Sequence, residues 1–283
     1  MGEDEHIMEA IGKAKIVVRG GKVVEVGTPL LTQCPLAKRF AKPVDTFTPD
    51  AIRANIEDRI KNSGMFTKKR VMISSDDFVV FGASELISTG MKAGLLDAAV
   101  IACDGAGTVI VNSPELVQGI GGKMSGLVKT SPIPEVIAGL EGYGAIVPNP
   151  KTAAIDQVSG VRKARDCGLK RIAVTVTSPD DAELIRKEYS RALIFGVHLT
   201  GISKEGAERM AAVADIVTGC ASKWIREAAA NAALLQAGVS VPVFALTEKG
   251  KELIAAKVKT TKQHLLIKVE RLPFTGGKCP DLV

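Results

Sequence analysis

The stretches ARDCGLKRIAVTV (164–176) and MAAVADIVTG (210–219) follow one plan. A helical segment ends at a Gly or Asp, and a short run of apolar, largely β-branched residues follows. Such runs recur at 78–81, 98–103, 145–147, 171–177, 192–197, 215–218 and 242–246. Between them lie amphipathic stretches such as 85–93, 180–187, 204–213 and 223–236, about the length of the helix in a βα unit. The runs are apolar throughout, without the period-two alternation of a half-exposed strand, so they belong in a parallel sheet covered on both faces. Gly94, Gly168 and Gly238 stand where helix C-terminal caps are expected. The pattern predicts an α/β protein: a mainly parallel sheet of about seven strands with helices on both faces. Barrel-like closure and two half-sheets remain as alternatives.

Outward from this centre, AKIVVRGGKVVEVG (14–27) reads as a β-hairpin turned by Gly20 and Gly21. Residues 28–47 hold Pro29, Cys34-Pro35 and Pro43 and are expected to be irregular. Thr48-Pro49-Asp50 opens a helix, Thr as N-cap and Pro at the first helical position. Its Ile52, Ile56 and Ile60 share one face, and Gly64 closes it. Four regions follow: 1–47 as hairpin and loop, 48–147 and 148–259 as two α/β halves, and 260–283 as a strand-like run at 264–269 with a tail. The joint between the halves falls at the Pro148-Asn149-Pro150 cluster.

Composition narrows the function. The chain has 283 residues, 46% hydrophobic and 24% charged, enough for a sizeable core and unlike a disordered chain. Aromatics are 4%, and Lys and Arg are scattered, which argues against a stacking nucleic-acid surface. The net charge of +6 is compatible with an anionic ligand. Glu3, Asp4 and Glu5 stand where a secretory signal needs basic residues. The uncharged stretch 228–247 is broken by Asn231, Gln236, Gly238, Ser240 and Pro242, so it reads as helix, turn and strand rather than a membrane span. Five Cys without a signal predict a reduced, cytoplasmic protein.

Ligands of parallel sheets bind at the carboxyl ends of strands, which points to three loops. Cys103-Asp104-Gly105-Ala106-Gly107-Thr108 follows one run, Val197-His198-Leu199-Thr200-Gly201 another, and Thr218-Gly219-Cys220-Ala221-Ser222 a third. His198 and Asp104 are the candidate acid–base residues. The glycine-rich segment 119–126 is not a phosphate loop, since Met124 follows Gly122-Lys123 and Val117 stands where the first Gly belongs. Backbone amides at Gly105, Gly107, Thr108, Gly121 and Gly122, with Lys123, are candidates for cradling an anion. There is no CxxC and no HExxH. Cys34, Cys103 and Cys220, each in a turn, form a candidate thiolate set for a [4Fe-4S] cluster with one open iron. Cys167 reads as packing, and Cys279, also before a Pro, is a weaker fourth candidate.

The strings DDFVVFGASE (76–85), ELVQGIGGKMSGLV (115–128), VHLTGIS (197–203), ADIVTGCASKWIRE (214–227) and LLQAGVSVPVFALTEKGKEL (234–253) resemble the archaeal family called methanogenesis marker protein 8. The likeness runs from about residue 5 to 258. It implies a cytoplasmic protein of a methane-producing archaeon, linked to methanogenesis and to maturation or activation of methyl-coenzyme M reductase. It favours an oxygen-sensitive iron–sulfur centre but carries over no catalytic residue. Two classes stay open: a metal- or cluster-dependent enzyme or maturation factor, and a binding or assembly protein holding a small anionic ligand or a methanogenesis protein, with a homo-oligomer allowed in either.

Overall fold

In the computed structural model, which describes residues 4–276 and 282–283, two sheets share the chain. The larger has seven strands. Its centre is β4 (Ala98–Cys103), β7 (Ile172–Val176), β8 (Leu193–Gly196) and β9 (Ile216–Thr218), all parallel and side by side in that order. Antiparallel strands flank them: β5 (Gly107–Val111) beside β4, then β11 (Val243–Ala245) and β10 (Leu235–Ala237) beyond β9. The sheet is open, not a barrel.

Along β4, Ala99, Ile101 and Cys103 enter one core while Ala98 and Val100 enter the other, so both faces are covered, as the unbroken apolar run requires. One face packs on α5 (Gln157–Asp166), α6 (Pro179–Glu188), α7 (Lys204–Val213) and α8 (Lys223–Ala232). The other packs on α2 (Ala83–Lys92), α3 (Pro114–Ile120), α4 (Pro134–Gly142) and α9 (Glu248–Thr260). Ser113, Asp156, Ser178, Ser203, Ser222 and Thr247 each accept a bond from the first turn of the following helix. No helix among the described residues is long and apolar enough to cross a membrane.

The second sheet has four antiparallel strands in the order β3 (Lys22–Val26), β2 (Ala14–Arg19), β1 (His6–Ala10) and β6 (Leu127–Lys129). The expected hairpin is β2–β3. Gly20 and Gly21 both take positive φ (54° and 68°), as a tight two-residue turn requires. Its core includes Ile52 and Ile56 of α1 (Pro49–Ser63), and it reaches Ala221 beyond β9. This sheet therefore covers the carboxyl ends of the parallel strands.

Four expected elements differ. Residues 78–81 form no strand; the amides of Phe78 and Val79 donate to Glu85 instead of to a ladder. Of 145–147 only the bridge Ile110–Ile146 remains. The helix expected over 223–236 stops at Ala232, because Leu235–Ala237 pairs with Val243–Ala245; Gly238 (φ 77°) lies between these strands instead of capping a helix. Residues 264–269 form no strand, and Leu266, Ile267 and Val269 are exposed.

Candidate functional site

A cavity of about 880 Å³ opens where the second sheet meets the carboxyl ends of β8 and β9. Val197 and His198 reach it from β8, and Thr218 and Cys220 from β9. The loop 28–47 contributes Cys34, Arg39 and Phe40, α1 contributes Arg59, and the 78–85 segment contributes Phe78 and Glu85. The position matches the general rule for ligand sites of open α/β sheets. A second hollow, of about 750 Å³, lies at the opposite end of the strands, where Arg171 is already neutralised by Asp97.

Backbone strain concentrates on this cavity. Six non-glycine residues among those described have positive φ, and four of them, Ile11, Lys13, His198 and Cys220, line it. Each costs on the order of 1–3 kcal/mol and persists only where the surrounding contacts offset that cost. Cys220 (φ 41°) is fixed by Arg226, whose Nε and Nη2 donate to its carbonyl at 3.1 and 2.5 Å. His198 (φ 57°) has Nε2 3.2 Å from Glu9 Oε2, which also holds Lys13 Nζ at 2.8 Å. Burial and then Lys13 lower the His198 pKa, with Glu9 opposing them. A neutral imidazole tied to a carboxylate is a competent proton-transfer group.

The wall is cationic and aromatic. Arg59 stands over the Phe40 ring (4.3 Å), Phe40 stacks on Phe78 (5.6 Å, 26° between planes), and Arg39 lies 5.9 Å from the Phe78 centroid. Among the described residues neither guanidinium has a carboxylate within ion-pair distance; Arg59 donates only to the Lys123 carbonyl at 3.4 Å. Burial holds the Arg59 pKa down to about 10, opposed by Asp58. Lys42 and Lys123 add charge, against Asp58 and Glu85. Burial raises the Glu85 pKa, and its carboxylate is already engaged by the Phe78 and Val79 amides.

The residues expected at the site separate into two groups. Cys34, Cys220, His198, Gly121, Gly122 and Lys123 line the cavity. The amides of Gly121, Gly122 and Lys123 are spent on carbonyls of Val117 and Ile120, so this turn offers a lysine side chain rather than an amide cradle. Asp104 and Cys103 are buried away from it. Asp104 Oδ1 accepts from Arg70 Nε at 2.9 Å and Oδ2 from the Phe66 amide at 2.6 Å, both ion-pair side chains being fully buried. The Gly105 amide donates to Thr130 Oγ1, the Thr108 amide to the Ala154 carbonyl, and the Thr108 hydroxyl to Gln157 Oε1. Gly107 packs against the carbonyls of Ala153 and Ala154. This loop joins the two sheets and leaves no free amides at Gly105 or Thr108.

For a cluster, the cavity supplies two thiols. Cys103 is fully buried in the core, and burial, then Asp104, raise its pKa. Strands β4 and β9 are three positions apart, about 14 Å at ordinary strand spacing. Among the described residues no three His, Cys, Asp or Glu are arranged to hold a metal ion. Cys167 is exposed, and Cys279 lies outside the described residues. Arg39, Arg59, Phe40, Phe78 and the Glu9–Lys13 pair carried no sequence signal, since each acts only once distant segments meet.

The pattern of the family described as "Uncharacterized protein conserved in archaea (DUF2099)" matches residues 6–259, from β1 to the end of α9. The "Uncharacterized protein MJ0054" of Methanocaldococcus jannaschii is 45% identical over 282 residues, covering 98% of each chain.

Proposed function

The chain belongs to this family of conserved archaeal proteins, and we propose that its cavity binds a small anionic ligand with an apolar body. The observation that carries this reading is the pair of guanidiniums, Arg39 and Arg59, held against stacked Phe rings on the cavity wall with, among the described residues, no carboxylate within ion-pair distance of either. Ring stacking presets a guanidinium for recognition of a carboxylate or phosphate at little further entropic cost. The concentration of backbone strain on the same wall supports a functional cavity.

Thermal unfolding against matched ligand pairs tests this: short-chain phosphate esters and dicarboxylates beside the corresponding alcohols and amides. Anions are expected to stabilise the protein and neutral analogues not. Arg39→Met and Arg59→Met should each weaken anion binding by about tenfold or more, the worth of a charged hydrogen bond. Equal effects of charged and neutral ligands, or indifference to both substitutions, would refute the reading.

A second reading rests on the His198–Glu9–Lys13 chain, which suits acid–base chemistry on the bound anion. Its signature is a turnover whose pH profile moves in Glu9→Gln while anion affinity does not. We assign the role to methanogenesis, the setting implied by the resemblance to methanogenesis marker protein 8, with maturation of methyl-coenzyme M reductase as the step it serves. Loss of the gene from a methane-forming archaeon should slow methane formation, and the wild type but not the Arg39→Met, Arg59→Met variant should restore it.

A further inference from the structure

The run His264-Leu265-Leu266-Ile267-Lys268-Val269-Glu270 has the apolar, partly β-branched composition of a strand. Yet among the described residues none of its backbone groups bonds to another backbone group. Every residue of the run is exposed, Leu266 at 89%, Ile267 at 82% and Val269 at 101%. It is held at both ends. α9 closes at Thr260 before it, and beyond it Phe274 is tied to Gln236 of the edge strand β10, its amide donating to Oε1 at 2.9 Å and its carbonyl accepting from Nε2 at 2.6 Å. We propose that this run is a strand completed by antiparallel pairing with the same run of a second copy of the chain.

The spacing of its charges points to a second copy as the partner. In a two-fold antiparallel pair, residues equally far from the centre on the two chains stand opposite each other. A pair centred on Val269 sets Lys268 against Glu270 of the other copy, twice over, and Leu266 against Leu272. Ile267 then faces Arg271, whose aliphatic stem covers apolar surface. Moving the centre by one residue loses this: at Lys268 two lysines meet, and at Glu270 two glutamates. Within one chain Lys268 and Glu270 already lie 2.6 Å apart, with side chains still 47% and 42% exposed. Lys268 Nζ also lies 4.7 Å from the Phe274 centroid. Neither contact has to break on pairing, because the four charges alternate and each gains a second opposite neighbour. An unpaired strand is a template for another chain, and a strip this short gives a dimer that dissociates in the micromolar range.

Sedimentation velocity of the reduced, full-length protein should show a monomer–dimer equilibrium over micromolar concentrations. Lys268→Glu and Glu270→Lys should each weaken dimerisation about tenfold or more, because each sets like charges opposite each other twice. An equimolar mixture of the two variants should recover the dimer, since every cross-strand contact is again Lys against Glu although neither chain keeps its internal pair. The Arg39→Met, Arg59→Met variant should dimerise as the wild type does, which separates this interface from the anion reading. In a Cys167→Ser, Cys279→Ser background, Val269→Cys should cross-link to its own copy on mild oxidation, read by peptide mass. Directly opposed Cα atoms lie about 4.5–5.5 Å apart, within reach of a disulfide. Ile267→Cys should not cross-link, its two copies being offset by four residues, roughly 13 Å. A protein that stays monomeric at millimolar concentration, a mixture that behaves like its components, cross-linking at Ile267→Cys as readily as at Val269→Cys, or association of the run with lipid vesicles in place of dimerisation would overturn the proposal.

Discussion

Asp104→Asn should destabilise the protein severely while leaving the cavity wall in place. The carboxylate is fully buried, bonded to Arg70 Nε (2.9 Å) and to the Phe66 amide (2.6 Å). Arg70 also donates Nη1 to the Val71 carbonyl, and among the described residues its buried Nη2 has no partner and no other carboxylate pairs with the guanidinium. Removing one member of a buried pair costs about 3–5 kcal/mol, chiefly because the other charge is stranded. In a chain of this size each kcal/mol moves the unfolding midpoint by roughly 2–4 °C, so a fall of about 6–20 °C is expected. Replacing both partners, Arg70→Met with Asp104→Leu, should recover part of the loss. Recovery is incomplete because the Phe66 amide loses its acceptor, worth roughly 1–3 kcal/mol. Thermal and urea unfolding of the three variants give these values. If Asp104→Asn unfolds within about 1 kcal/mol of wild type while losing ligand binding, Asp104 is a site residue and the structural reasoning fails.

Two further outcomes follow from the same geometry. Burial lowers the pKa of His6, on β1 with Nδ1 2.6 Å from Thr130 Oγ1, below its ordinary 6.5. The folded state then binds fewer protons than the unfolded one, so stability is full above pH 6.5 and declines as pH falls toward the lower folded value. His6→Gln should remove that part of the slope, and equal slopes in both proteins would contradict it. In a Cys167→Ser, Cys279→Ser background, an anionic aromatic disulfide reagent should modify Cys34 and Cys220 faster than a neutral one. That advantage should vanish at high salt and in the Arg39→Met, Arg59→Met variant; an advantage that persists in the variant would place the steering charge elsewhere.

The centre of the fold was legible because its strands are buried on both faces. Ala98–Cys103 and Ile172–Val176 leave apolar runs, and their helices start at Ser, Asp or Thr caps. Strand direction leaves no such trace, so the sequence over the antiparallel β10–β11 edge has the pattern of a helix followed by a parallel strand. The three-residue β6 owes its existence to pairing with β1. At the site, His198 and Cys220 were readable as residues just past parallel strands. Cys103 and Asp104 occupy the same kind of position, but the segment after α1, through Arg70 and the Phe66 amide, packs over Asp104 and closes that position. That is a non-local event no local pattern encodes. The arginine–phenylalanine stack is likewise assembled from three separate segments and has no spacing to recognise.

The claim that the cavity is an anion site is tested most directly with 1-anilinonaphthalene-8-sulfonate, a fluorescent probe with an apolar body and one negative charge. Titrated into the folded wild type, it should bind at a single saturable site. Its affinity should drop about tenfold or more in Arg39→Met, Arg59→Met, and fall with rising salt only in the wild type. Identical titrations of the two proteins, with the same salt response, would contradict the account.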